Sequence, residues 1–208
     1  MSVKSASSSN TNQDVAVLFP DIPDQPVIVS VTDVGTNRPY NNGAISVACS
    51  SGATGGAASS FIVTSTPGSY TATSASPVTV TGLQNSTSYT FTAIGKNKTG
   101  TGTLSSNSSS AITPTTVPQA PTIGTVSVTN KTTISVPFVL GASGGKGITS
   151  FLATSSPSIA LSVSGNSSPL TITGSFALGQ SYTFQIAAVN ANGTSLYSSA
   201  SNAVTPNQ

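Results

Sequence analysis

Histidine and tryptophan are absent from this 208-residue chain, and cysteine and methionine occur once each. Charge is almost absent too: six Lys/Arg stand against four Asp/Glu. Each gap excludes a class of chemistry. Without histidine the chain lacks the usual general base near neutral pH and the commonest metal ligand. One cysteine, Cys49, permits neither an intrachain disulfide nor a thiolate zinc site. The acids are Asp14, Asp21, Asp24 and Asp33, so residues 34–208 contain no carboxylate. That stretch holds no salt bridge, no calcium cage built from acids and no pair of catalytic carboxylates. A net charge of +2 makes no strong field for nucleic acid. Long apolar runs are missing as well. VAVLF at 15–19 is far short of the ~20 residues that cross a bilayer. It follows SASSSNTNQD rather than a basic head, so it is not a secretory signal. The expectation is a non-enzyme with no metal, no cofactor, no nucleic-acid partner and no membrane span.

What the chain does have is hydroxyl. It contains 39 Ser and 31 Thr, so surface polarity comes from hydroxyls and amides rather than charges. Low charge here does not imply disorder, because Val, Ile and Thr are abundant and favour strands. The lone cysteine suits a reducing cytosol, and the hydroxyl-rich surface suits the outside. A chain made in a host cytoplasm and used outside it without a signal peptide points to the surface of a virion released by lysis.

The organising signal is an internal repeat. Residues 80–114 match 172–206: Gly82 with Gly174, Tyr89 with Tyr182, Phe91 with Phe184, Asn97 with Asn190, and Pro114 with Pro206. GATGGAASSF (52–61) matches GASGGKGITSF (141–151), and PDQPVI (23–28) matches PQAPTI (118–123). Period-two alternation marks half-buried strands at 89–93 and 182–188, with Ile45, Val47 and Cys49, and with Ile134, Val136 and Phe138. Further short strands are expected at 27–34, 60–66, 77–81, 122–129, 149–155 and 169–173. Seven short strands in about 90 residues predict a β-sandwich.

GLQNSTSYTFTAIGKNKTGTG and its counterpart from Gly174 to Ser199 resemble the fibronectin type III module, in which a turn leads through a tyrosine corner into strand F. The GGAASSFIVTSTPG and GGKGITSFLATSSP stretches resemble that family's entry into strand C. The resemblance implies an all-β chain of two tandem fibronectin type III-like β-sandwiches, with Tyr89 and Tyr182 as corner tyrosines. Phe91 and Phe184 would be core residues of strand F. Cys49 and Phe138 stand where the family carries a core Trp, and the first domain is expected either to collapse around Cys49 or to recruit Tyr70 into the space it leaves. Modules of this kind recur on phage surfaces, which is what the resemblance adds to function.

The expected organisation is an extended N-terminal arm (1–22), a first domain (23–115) and a second (116–208). PTTVPQAP at 114–121 reads as a stiff, proline-rich linker. The arm begins polar and low in complexity and ends in the apolar segment Val15–Phe19, which either packs on the first domain or makes Val15, Val17, Leu18 and Phe19 anchor residues to a partner, for example by strand addition. Cys49 reads as a small buried hydrophobe. Tyr40, Tyr70 and Tyr197 are weak candidates for a glycan site. Lys96, Lys98 and Arg38 read as solvated loop charges. Six Asn-x-Ser/Thr sequences, at Asn85, Asn97, Asn107, Asn130, Asn166 and Asn192, match chance for this composition. The expected function is a bacteriophage virion structural protein, a capsid decoration (cement) protein whose partners are other virion proteins. The alternative is a tail or fibre adhesin that binds host-surface glycans.

Overall fold

The computed structural model describes residues 21–53, 55–103 and 105–207. No helix occurs among them, and every strand pair is antiparallel. The first unit contains β1 (Val27–Asp33), β2 (Gly43–Ser50), β3 (Ser60–Thr66), β4 (Thr71–Ser74), β5 (Val78–Leu83) and β6 (Thr90–Lys96). They form two sheets, ordered β1-β2-β5 and β4-β3-β6. The inward sides meet in one core, which includes Ile45, Val47, Phe61, Val63, Val78, Val80, Leu83, Tyr89 and Phe91. Alternation decides which side is inward. In β6, Phe91, Ala93 and Gly95 are buried while Thr90, Thr92 and Ile94 are half-buried.

The second unit contains β7 (Thr122–Ile123), β8 (Ser127–Asn130), β9 (Thr133–Val136), β10 (Phe138–Val139), β11 (Ile148–Ser156), β12 (Leu161–Ser164), β13 (Leu170–Gly174), β14 (Thr183–Asn190) and β15 (Gly193–Thr194). Its sheets run β12-β13-β9-β8 and β11-β14-β15, with β7 and β10 as a short separate pair. The strands expected at 122–129 and 134–138 are each broken in two, at Gly124–Val126 and at Pro137. Pro137 has no N–H to give a ladder, and its carbonyl accepts from Gly124 across the gap at 2.7 Å.

The repeats differ in one strand. β4 pairs with β3, Phe61 opposite Ser74. Its counterpart β12 leaves that sheet and pairs with β13, Leu161 opposite Gly174. This is the four-plus-three division of immunoglobulin constant domains. Side chains account for the switch. LSVS turns Leu161 and Val163 against the second core, whereas TATS offers only Ala72. Neither β4 nor β12 was expected from the sequence, because four residues with one or two apolar positions give little periodicity.

Candidate functional site

The anchor candidates Val15, Val17, Leu18 and Phe19 lie outside the described residues. The six core candidates are all buried: Tyr89, Phe91, Tyr182, Phe184, Cys49 and Phe138. Both tyrosines make the corner bond. The Gln84 N–H donates to the Tyr89 hydroxyl at 3.0 Å, and the Ala177 N–H to the Tyr182 hydroxyl at 3.1 Å, each from five residues upstream. Cys49 and Phe138 occupy equivalent places, since the N–H of each donates to a serine hydroxyl, Ser76 or Ser168, at 2.9 Å. Burial pushes the Cys49 thiol up to about 11 from its ordinary 9.0.

Tyr70 does not fill the space beside Cys49. Its ring packs edge-on to Tyr89 at 6.1 Å and lies against Gly82. Gly82 is at the far end of β5, whereas Cys49 is near Ser76, before that strand begins. The constraint on Tyr70 is local: its N–H donates to the Ser65 hydroxyl at 3.0 Å, as the Ile159 N–H does to Ser155 at 3.3 Å. Tyr70 thus turns inward, and a glycan site on Tyr40, Tyr70 and Tyr197 loses one of its three rings.

The last segment of each unit carries a pattern that the sequence reading missed. It does not run flat beside strand F. Ser106 and Ser109 donate their N–H to Ala93 and Phe91, and their hydroxyls accept from those same residues' N–H. Ser195, Ser198 and Ser201 do the same with Ala188, Ile186 and Phe184. Each hydroxyl also donates to the carbonyl of the next residue in its own segment. Three residues therefore pass for every two of the neighbouring strand, and side-chain oxygens complete the bonds that a flat strand's carbonyls would make. The signal was a serine at every third position.

Polar groups also hold the entry to each unit. The Asn97 amide donates to the Asp21 carbonyl at 2.9 Å, and its oxygen accepts from Thr99 and Gly100. Its counterpart Asn190 donates to the Thr116 carbonyl at 2.9 Å and accepts from Asn192. In the two glycine-rich runs, Gly55 and Gly144 take the left-handed conformation that glycine allows, at φ of 76° and 73°. The close approach of the entering chain is what needs glycine. A Cβ on Gly56 would meet the Asp21 carbonyl, and one on Gly144 the Thr116 and Val117 carbonyls.

Between the units, Thr115 and Thr116 are buried. Asp33, the last acid in the chain, accepts from both the N–H and the hydroxyl of Thr115. The Asn192 side-chain amide donates to the Thr115 hydroxyl at 2.7 Å, while the main-chain carbonyl of Asn192 accepts from the Asn37 N–H at 2.7 Å. Asn85 donates to the Thr116 hydroxyl at 2.7 Å. Asn85 and Asn192, two of the Asn-x-Ser/Thr positions, thus use their side-chain nitrogens inside the junction. Beside the junction lies a groove of about 580 Å³, whose lining includes Pro39, Tyr40, Val117, Pro118 and Leu196. A second groove, of about 430 Å³, runs along β1. No group of three acids, cysteines or histidines able to hold a metal occurs among the described residues.

No family model matches the chain, and no curated protein matches it. Two solved structures align with most of the chain. The domains A168–A170 of titin are 13% identical, with a TM-score of 0.46, over 84% of this chain and 62% of that one. The FN1–FN3 domains of chicken CNTN1 are 16% identical, with a TM-score of 0.45, over 89% and 69%. This chain thus spans less than two thirds of the titin fragment. By its own strand orders the architecture is all-β, two tandem fibronectin type III-like sandwiches, with the immunoglobulin-like fourth strand in the second.

Proposed function

We propose that the chain is a non-enzymatic structural protein of a bacteriophage virion, a capsid decoration protein held by its N-terminal arm. The observation that carries this reading is how the polar side chains are used. Serine hydroxyls complete the ladders of both last segments, and Asp33, Asn85, Asn190 and Asn192 are bonded into the junction. Polar chemistry therefore serves the backbone, as befits a durable surface module. The apolar VAVLF segment falls outside both repeats of the sequence and supplies the candidate anchor.

A few kcal/mol is what four such side chains contribute at about 25 cal/mol per Å² of apolar surface, before ordering costs. Many copies on a lattice need only that modest affinity each. The test adds truncated proteins to particles that lack the protein and measures co-sedimentation. Deleting residues 1–20, which spares the Asp21 and Ile22 carbonyls bonded to Asn97 and Gly56, is expected to abolish attachment while both sandwiches stay folded. Deleting residues 119–208 is expected to leave attachment intact. Wild-type attachment of the arm-deleted protein overturns the reading.

A further inference from the structure

In the second unit, one side chain closes the gap between the first strand and the last segment. The Asn202 amide donates to the Val126 carbonyl at 3.0 Å, and its oxygen accepts from the Val126 N–H at 2.8 Å. It gives Val126 the pair of bonds that a neighbouring strand's peptide would give. In the first unit, Ser110 takes the place of Asn202. Ser109 and Ser201 both accept from the strand-F phenylalanine, Phe91 or Phe184, and Ser110 and Asn202 follow them. Val31 takes the place of Val126, five residues after the matched Pro26 and Pro121. A serine is too short to reach across. The gap stays open as the groove along β1, lined by Val27, Val29, Val31 and the Asn107–Ser110 segment. Val27 is 56% exposed and Val29 67%. Among the described residues, no hydrogen bond reaches the outward edge of Val27–Val31.

We propose that this groove receives the Val15–Phe19 segment of a second copy of the chain as an added strand. This receiver rests on the reading of the arm as a binding segment and adds a neighbouring copy in the coat to the particle surface as its partner. The two pieces match in length, five residues and about 17 Å each. Val15, Val17 and Phe19 alternate onto one face and would cover the exposed valines. The free edge of β1 would supply main-chain bonds, as in strand addition generally. No charged residue lines the groove.

The chain's own Val15–Phe19 segment cannot lie along Val27–Val31. Asp21, Pro23 and Gln25 lie beside Gly56, Gly55 and Gly52, in antiparallel order, so residues 21–26 are extended and lead away from the groove. Six residues folded straight back from Asp21 span about 20 Å and return only to Gln25–Pro26, where the groove begins. A second copy is therefore required. Its arm in this groove is a heterologous contact, which builds rows or rings of subunits, the arrangement a coat of many copies needs.

The experiment titrates a fluorescent peptide of residues 11–20 into full-length protein carrying Val17→Asp, which disables the receiver's own arm, and reads anisotropy. Saturable binding is expected. Ser110→Asn, which restores the clamp, and Val29→Lys, which charges the groove, should each weaken it at least tenfold while leaving the melting temperature near wild type. Absence of saturable binding at millimolar peptide overturns the proposal, as does undiminished binding to both groove variants. The particle assay separates the two readings. If the peptide fails to bind but Val17→Asp protein no longer attaches to particles, the arm remains the anchor and the groove is not its receiver. If the peptide binds the groove but Val17→Asp protein still attaches, the groove stands and the anchor reading falls.

Discussion

Cys49 and Phe138 hold one position in two copies of a unit, and the smaller residue brings a titratable thiol into a sandwich core. Burial keeps that thiol protonated up to about pH 11, whereas in the unfolded chain it ionises near its ordinary 9.0. The folded state therefore binds the proton more tightly between those values. Stability is fully present below about pH 9 and is lost as pH rises toward 11. Thermal melts at pH 8 and pH 10.5 should show a larger fall for wild type than for Cys49→Ala. A thiol reagent at pH 8 should label native protein negligibly and denatured protein with one equivalent. Rapid native labelling would mean that Cys49 is not in the core.

At the scale of the element, the last segment of each unit is the departure from a plain sandwich. Ser198 accepts from the Ile186 N–H at 3.1 Å and is buried. Ser198→Ala removes that acceptor and leaves a buried donor unpaired, at a cost of about 1–3 kcal/mol. Denaturant unfolding should show the lowered midpoint with an unchanged slope. Ser199→Ala, at an exposed neighbour, should cost almost nothing. The strands with regular alternation, β6 at 90–96 and β9 at 133–136, were legible because one face of each is buried and period two records it. The winding segments were not legible. Their serines look like low-complexity surface until the hydroxyls are seen closing a ladder. The fourth strands were hidden for a different reason, since they are too short for a period to show.

For the whole molecule, the question is what joins the two cores. Three prolines in PTTVPQAP suggested that the backbone alone stiffens the join. The structure adds side chains from both units, with Asp33, Asn192 and Asn85 all bonded to Thr115 or Thr116. Gly35 allows the close approach, because a Cβ there would lie 2.5 Å from the Thr115 hydroxyl and 2.7 Å from Asn192. Gly35→Val should open the junction without harming either core. Small-angle scattering should then show a broader range of particle dimensions at an unchanged melting temperature. An unchanged scattering curve would assign the stiffness to the prolines alone.

Composition and repeat were enough to determine the all-β class and the two copies, because alternation and spacing are local properties that a linear string carries in full, while the corner tyrosines followed from the resemblance to fibronectin type III modules. The groove along β1 was settled only in three dimensions. Whether Ser110 or Asn202 closes a gap depends on how far a side chain reaches toward Val31 or Val126, residues more than 75 positions away in the chain. The inward turn of Tyr70 and the crossing of β12 to the other sheet have the same origin. Each is decided by which surfaces meet after the chain has folded, and spacing along the chain does not record that.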